Sequence, residues 1–174
     1  MVKFIWRIAS AHTIAYFIAG IYALTFLNYD ELFSVGSLDF MRETDTTWVA
    51  AGPGLQVLKG ILVGLVLYPL HTVFTESNRG WLKFWLLIFG LSYILTLSAA
   101  LGSFEGVIYT NIPFKDHFIG MSEILIYTTL FSLILWIWYK KPSKTINIIA
   151  IVLTSLIALM SFMGVMAALG LIEA

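Results

Sequence analysis

Glu105, His117 and Glu123 fall within one stretch, "GSFEGVIYTNIPFKDHFIGMSEILIY" (102–127), and are residue types that move protons. A carboxyl group withdrawn from water keeps its proton to higher pH, which general acid catalysis exploits. His117 and Glu123 are six residues apart and do not stack on one helical face. A loop carrying Glu105 can instead fold back onto a helix beginning at His117. Glu105 with His117 is therefore the better acid–base couple, and Glu105, His117 and Glu123 are the candidate catalytic residues.

The same groups suit binding without catalysis. Lys59 and Glu123 each lie about six residues below the outer end of an apolar segment, ~9 Å deep at 1.5 Å per residue. An ionisable group inside a membrane span costs roughly 2.5–3.5 kcal/mol on insertion scales, so it turns to the protein interior. Equal depth and opposite sign predict an ion pair, either structural or in contact with a ligand. Gln56 shares a helix face with Lys59, and Trp48 begins the same segment from the outer side. Arg42 and Lys59 would attract an anionic group, while Glu105, His117 and Glu123 would orient polar atoms. With Tyr109 from the third loop, the candidate ligand-binding set is Arg42, Trp48, Gln56, Lys59, Glu105, Tyr109, His117 and Glu123.

The elements that must position these residues follow from composition. Of 174 residues, 60 % are hydrophobic and only 11 % charged, against about 25 % charged in soluble domains. Too little polar surface remains to cover a water-soluble globule. Five apolar segments approach the ~20 residues that span a bilayer: about 4–27, 53–74, 81–101, 117–139 and 145–171. The expected fold is one all-α membrane domain over residues 1–174, a bundle of five transmembrane helices. The first segment, though preceded by Lys3 and Arg7, is too long for a signal-peptide core and reads as a retained span. Pro53 suits a first helical turn, where a missing N–H costs nothing.

Basic residues alternate between the two sides. Lys3 and Arg7, then Arg79 and Lys83, then Lys140, Lys141 and Lys144 mark one side. The long first loop carries Arg42 against Asp30, Glu31, Asp39, Glu43 and Asp45, and the third loop has only Lys115. The positive-inside rule puts the N-terminus inside and the C-terminus outside. Trp6, Trp81, Trp85, Trp136, Trp138 and Tyr139 fall near inner span ends, where amphipathic rings favour the headgroup level. In the first loop, Leu32, Phe33, Val35, Leu38, Phe40 and Met41 are placed to form an interfacial lid. The apolar third loop, "GVIYTNIP", is expected to tuck against the bundle, so that both loops roof an outward-facing polar pocket.

Ala11, Ala15, Ala19 and Ala23, with Gly60, Gly64, Gly164 and Ala168, are spaced for close helix approach, within the bundle or onto a partner subunit. His12, one turn from Tyr16, and His71 read as hydrogen-bonded packing histidines. Their mismatch in depth, ~7 Å, argues against a haem held between them. No HExxH, phosphate-binding glycine loop or GxSxG elbow is present, and the chain has no cysteine. No cofactor or metal is expected. Zero net charge gives no support for a nucleic-acid partner.

These readings converge on a membrane protein, expected in the plasma membrane, that binds or transports a small amphiphilic or anionic molecule. Its expected partners are membrane lipids, that ligand, and a second subunit or copy meeting the small-residue faces. The alternatives are a membrane enzyme using Glu/His acid–base chemistry on a lipid or isoprenoid, and a noncatalytic assembly subunit.

Overall fold

The computed structural model describes residues 1–27, 29, 41–96 and 98–172. In hydrocarbon each backbone amide must be satisfied within its own segment, so long apolar runs become helices. They are α1 (Val2–Phe26), α2 (Thr47–Leu67) and the short α3 (His71–Thr75), joined to α2 by a 3-10 turn, Tyr68–Leu70. α4 (Gly80–Phe89) runs on into a π-helical turn, Gly90–Ile94. α5 (Phe104–Tyr109) and a 3-10 turn (Phe114–Phe118) precede α6 (Met121–Lys140) and α7 (Lys144–Ala168). Among the described residues there is no strand.

Four segments are long and apolar enough to cross a membrane: Val2–Phe26, Thr47–Thr75, Phe114–Lys140 and Lys144–Ala168. The expected third span is helical only over Gly80–Ile94, ~22 Å long against ~30 Å of hydrocarbon. Ser92, Thr96, Ser98 and Gly102 accumulate where it stops. Two helix starts also shift. α2 begins at Thr47, so Pro53 lies inside it and leaves the Val49 carbonyl without its usual N–H donor. Gly52, which has no Cβ to meet the proline ring, lets the helix run through. His117 sits in the 3-10 turn rather than starting α6. The expected lid residues Leu32, Phe33, Val35, Leu38 and Phe40 lie outside the described residues.

α1 is the central helix. Of its most apolar window 56 % is buried, against 22 % for each of the other three long segments, and it packs on α2, α6 and α7. Ala11, Ala15, Ala19 and Ala23 are all buried. A β-carbon added at Gly60 would stand 2.7 Å from the Ala9 Cα, and one at Gly64 would stand 3.0 Å from the Ile5 Cα. The small residues therefore bring α1 and α2 into backbone contact, the packing role that their spacing implies. On the other side of α2, Gly54 leaves room for Ser161 of α7, whose hydroxyl donates to the Ala50 carbonyl at 2.7 Å.

The end of the bundle that carries the N-terminus is closed. Phe4, Ile8, Leu67, Phe74, Phe84, Phe131 and Leu135 pack into one core. Phe84 meets Phe74 and Phe131 edge-on, at centroid distances of 5.2 and 4.9 Å. Trp138, expected at the headgroup level, is instead fully buried here. Its Nε1 donates to Asn147 Oδ1 at 2.7 Å, which meets the indole's need for a partner away from water. The Arg7 guanidinium covers its ring and that of Tyr139, at 5.5 and 4.5 Å. His71 stacks on Tyr68 with its Nδ1 donating to that residue's carbonyl at 2.8 Å, and so packs as expected.

Candidate functional site

Above that core the helices part. α3 rests on α4 where the hairpin turns, but α2 and α4 make little contact beyond it. The divergence leaves a cavity of about 250 Å³ lined by Tyr16 (α1), Lys59 and Val63 (α2), Ile88 and Ser92 (α4 and its π turn), and Glu123, Ile124 and Tyr127 (α6). The π turn matters here. Its backbone hydrogen bond runs from Leu95 N to Gly90 O at 2.7 Å, one residue wider than an α-helical turn. Ser92 reaches the cavity, while its neighbour Tyr93 is buried against the loop.

Beside the cavity a hydrogen-bonded rung crosses three helices. His12 Nε2 lies 3.0 Å from Gln56 Oε1, and His12 Nδ1 lies 2.7 Å from the Tyr127 hydroxyl. The Gln56 amide nitrogen turns to the Gly52 carbonyl, so its oxygen faces His12 and can only accept. His12 therefore carries its proton on Nε2 and accepts from Tyr127 on Nδ1. Tyr16 and Phe131 pack around the imidazole. His12, 1 % exposed, is a satisfied packing histidine whose partner Tyr127 also faces the cavity.

This rung fixes the relative heights of the two charges. α1 runs antiparallel to both α2 and α6. Lys59 stands three residues from Gln56 toward the closed end, and Glu123 stands four residues from Tyr127 the other way. Their α-carbons are thus offset by about 10 Å along the bundle, not level as the segment ends imply. Both line the cavity, but among the described residues no ion pair joins them. Glu123 Oε2 instead accepts from the Tyr29 hydroxyl, just past the end of α1. Burial first, and then this carboxylate, push the Tyr29 phenol well above its ordinary pKa. Tyr29 therefore remains a donor at physiological pH.

Of the candidate ligand-binding residues, Lys59 and Glu123 reach the cavity, and Gln56 stands beside it in the rung. The others do not join them. Arg42 and Trp48 are exposed and pair as a cation–π contact at 5.8 Å. Tyr109 is 73 % exposed, and Glu105 sits in the first turn of α5. The expected Glu105–His117 couple is absent. His117 is buried, its Nδ1 accepts from the Gly102 amide at 3.1 Å, and its carbonyl accepts from the Tyr93 hydroxyl at 2.7 Å. Gly102 has φ +80°, and a β-carbon there would collide with the Tyr93 ring. These contacts make His117 a clasp between the third loop and the π turn.

Sequence reasoning missed Tyr16, Tyr29, Ser92 and Tyr127 as site residues. The spacing held a signal for two of them: Tyr127 follows Glu123 by four residues and Tyr16 follows His12 by four, each one turn away. No group of three or more His, Cys, Asp or Glu residues able to hold a metal occurs among the described residues. No protein-family model, curated protein or solved structure matches the chain. The class of protein rests on its own architecture, an all-helical bundle with four helices long and apolar enough to span a membrane.

Proposed function

We propose that the chain binds a small amphiphilic or anionic molecule in the cavity between α1, α2, α4 and α6, and that such binding serves transport or capture. The observation that carries this reading is Lys59, a cation on the wall of a membrane-level cavity with no ion-pair partner among the described residues. A charge left unpaired at that depth is costly, and such groups mark ligand or ion pathways. Val63, Ile88, Ile124 and the faces of Tyr16 and Tyr127 supply an apolar surface beside it. This division of a few polar groups over an apolar lining is typical of small-molecule sites. Catalysis is less well supported, because Glu105 and His117 are not coupled.

Native mass spectrometry of the purified protein tests the proposal. An occupant that copurifies with the wild type should be lost from Val63→Phe, whose ring would intrude on the cavity. Occupancy unchanged in that variant would sink the reading.

The proposal includes the finer topology: five membrane-embedded helices in a plasma membrane, the shorter α4 among them, with the N-terminus inside and the C-terminus outside. The loop charges motivate it. Because the chain lacks cysteine, single cysteines report without background. Tyr109→Cys should label from outside in sealed cells and Asn78→Cys should not. Outside labelling of Asn78→Cys reverses the arrangement.

A further inference from the structure

The cavity presents two opposite charges that do not satisfy each other. The Lys59 ammonium has three donors and no ion pair among the described residues. Glu123 has one oxygen held by Tyr29, and among the described residues its second oxygen has no hydrogen-bond donor. An anionic ligand alone would answer Lys59 and leave the carboxylate unmet. A cation alone would do the reverse. A hydrogen-bonded charge pair gains most where each charge meets its complement away from water.

From this we infer that the ligand is a small organic zwitterion, its carboxylate on Lys59 and its ammonium on Glu123. The inference rests on the proposed binding role of the cavity and names the ligand class for it. Lys59 and Glu123 line the same cavity from offset positions, and the zwitterion would bridge the gap between them. Tyr16 and Tyr127 add ring faces, which favour an ammonium group; the Tyr16 hydroxyl can bond either end, and that of Tyr127, which donates to His12, can accept from the ammonium. Val63, Ile88 and Ile124 take the hydrocarbon between the charges. Size agrees. A cavity of about 250 Å³ lies near the small end of the ~300–1,000 Å³ range of ligand pockets, which suits a small molecule.

Four probes decide it, used on the full-length protein in detergent by titration calorimetry. Leucine and ε-aminocaproate are isomeric zwitterions with short and long charge separation. Caproate lacks the ammonium and hexylamine lacks the carboxylate. At least one zwitterion should bind roughly tenfold or more tightly than both singly charged probes, the effect of one charge-assisted hydrogen bond. Glu123→Gln should reduce that zwitterion to the level of caproate, and Lys59→Gln should reduce it to the level of hexylamine. Caproate or hexylamine binding as tightly as both zwitterions overturns the inference, and so does the failure of all four to bind. In the latter case the cavity reading still survives if the wild type shows a copurifying occupant that Val63→Phe loses. It falls too if there is none.

Discussion

The two halves of this bundle are built on the same helices and differ in almost everything else. Toward the N-terminal end, α1, α3, α4 and α6 meet through Phe4, Phe74, Phe84 and Phe131, with the ring of Phe84 edge-on to those of Phe74 and Phe131. Toward the other end, α1, α2, α4 and α6 enclose a cavity with Lys59, Glu123, Ser92 and two tyrosines on its walls. The rung of His12, Gln56 and Tyr127 ties α1, α2 and α6 together beside the cavity. Inside a membrane the hydrophobic effect does not distinguish a packed helix interface from lipid, so close packing must hold the helices together. The closed half supplies that packing. The hollow half gives it up and leaves a void beside charged groups.

If that division of labour is right, the largest loss of stability belongs to the closed half. Phe131→Ala removes a fully buried ring that touches Phe84, Tyr127 and His12, at a cost of roughly 3–5 kcal/mol. Thermal unfolding in detergent should show it. A loss no larger than that from Ile124→Ala, on the cavity wall, would erase the contrast between the halves.

The rung should be intermediate. Tyr127→Phe keeps the ring but strips His12 Nδ1 of its one donor among the described residues, and a buried polar atom left unsatisfied costs about 1–3 kcal/mol. Pairing Tyr127→Phe with His12→Phe should recover part of that loss, because the orphaned acceptor is then gone. A full sum of the two single losses would show that the rung is not a unit.

The smallest effect is expected for the two cavity charges. Lys59→Met and Glu123→Gln should change stability additively, with a coupling energy under about 0.5 kcal/mol, since no ion pair joins them. Coupling of several kcal/mol would restore the direct pair that equal depth suggests.

That suggestion shows where the sequence was legible and where it was not. Of the five expected spans, long apolar runs announced four that are helices long enough to cross a membrane, and the alanine repeat of α1 foretold close helix approach, because both depend on periodicity along one element. The depths of Lys59 and Glu123 depended on where α2 and α6 begin. Pro53 and His117 pointed to starts that tertiary packing overrode: α2 runs six residues past Pro53 to Thr47, and His117 is held in a turn by Gly102 and Tyr93. The Glu105–His117 couple failed for the same reason. A loop can fold back on a helix start in many ways, and this one presents a backbone amide to the imidazole. The cavity itself had no local signature, since it arises where α2 and α4 fail to meet.

The π turn at Gly90–Ile94 has a consequence best put in terms of insertion and deletion. A π turn is an α-helix with one residue too many, and each residue in a helix turns the chain by about 100°. Through that extra residue one short segment serves two masters: Ser92 faces the cavity while Tyr93 holds the His117 carbonyl. Deleting one residue, such as Leu91, would leave the helix sound and rotate everything beyond it by about 100°. Tyr93 would be carried away from its carbonyl without any polar group having been removed. This short stretch therefore tolerates exchange of side chains better than it tolerates a change in count, and the spacing between Phe89 and Gly102 is itself part of the site.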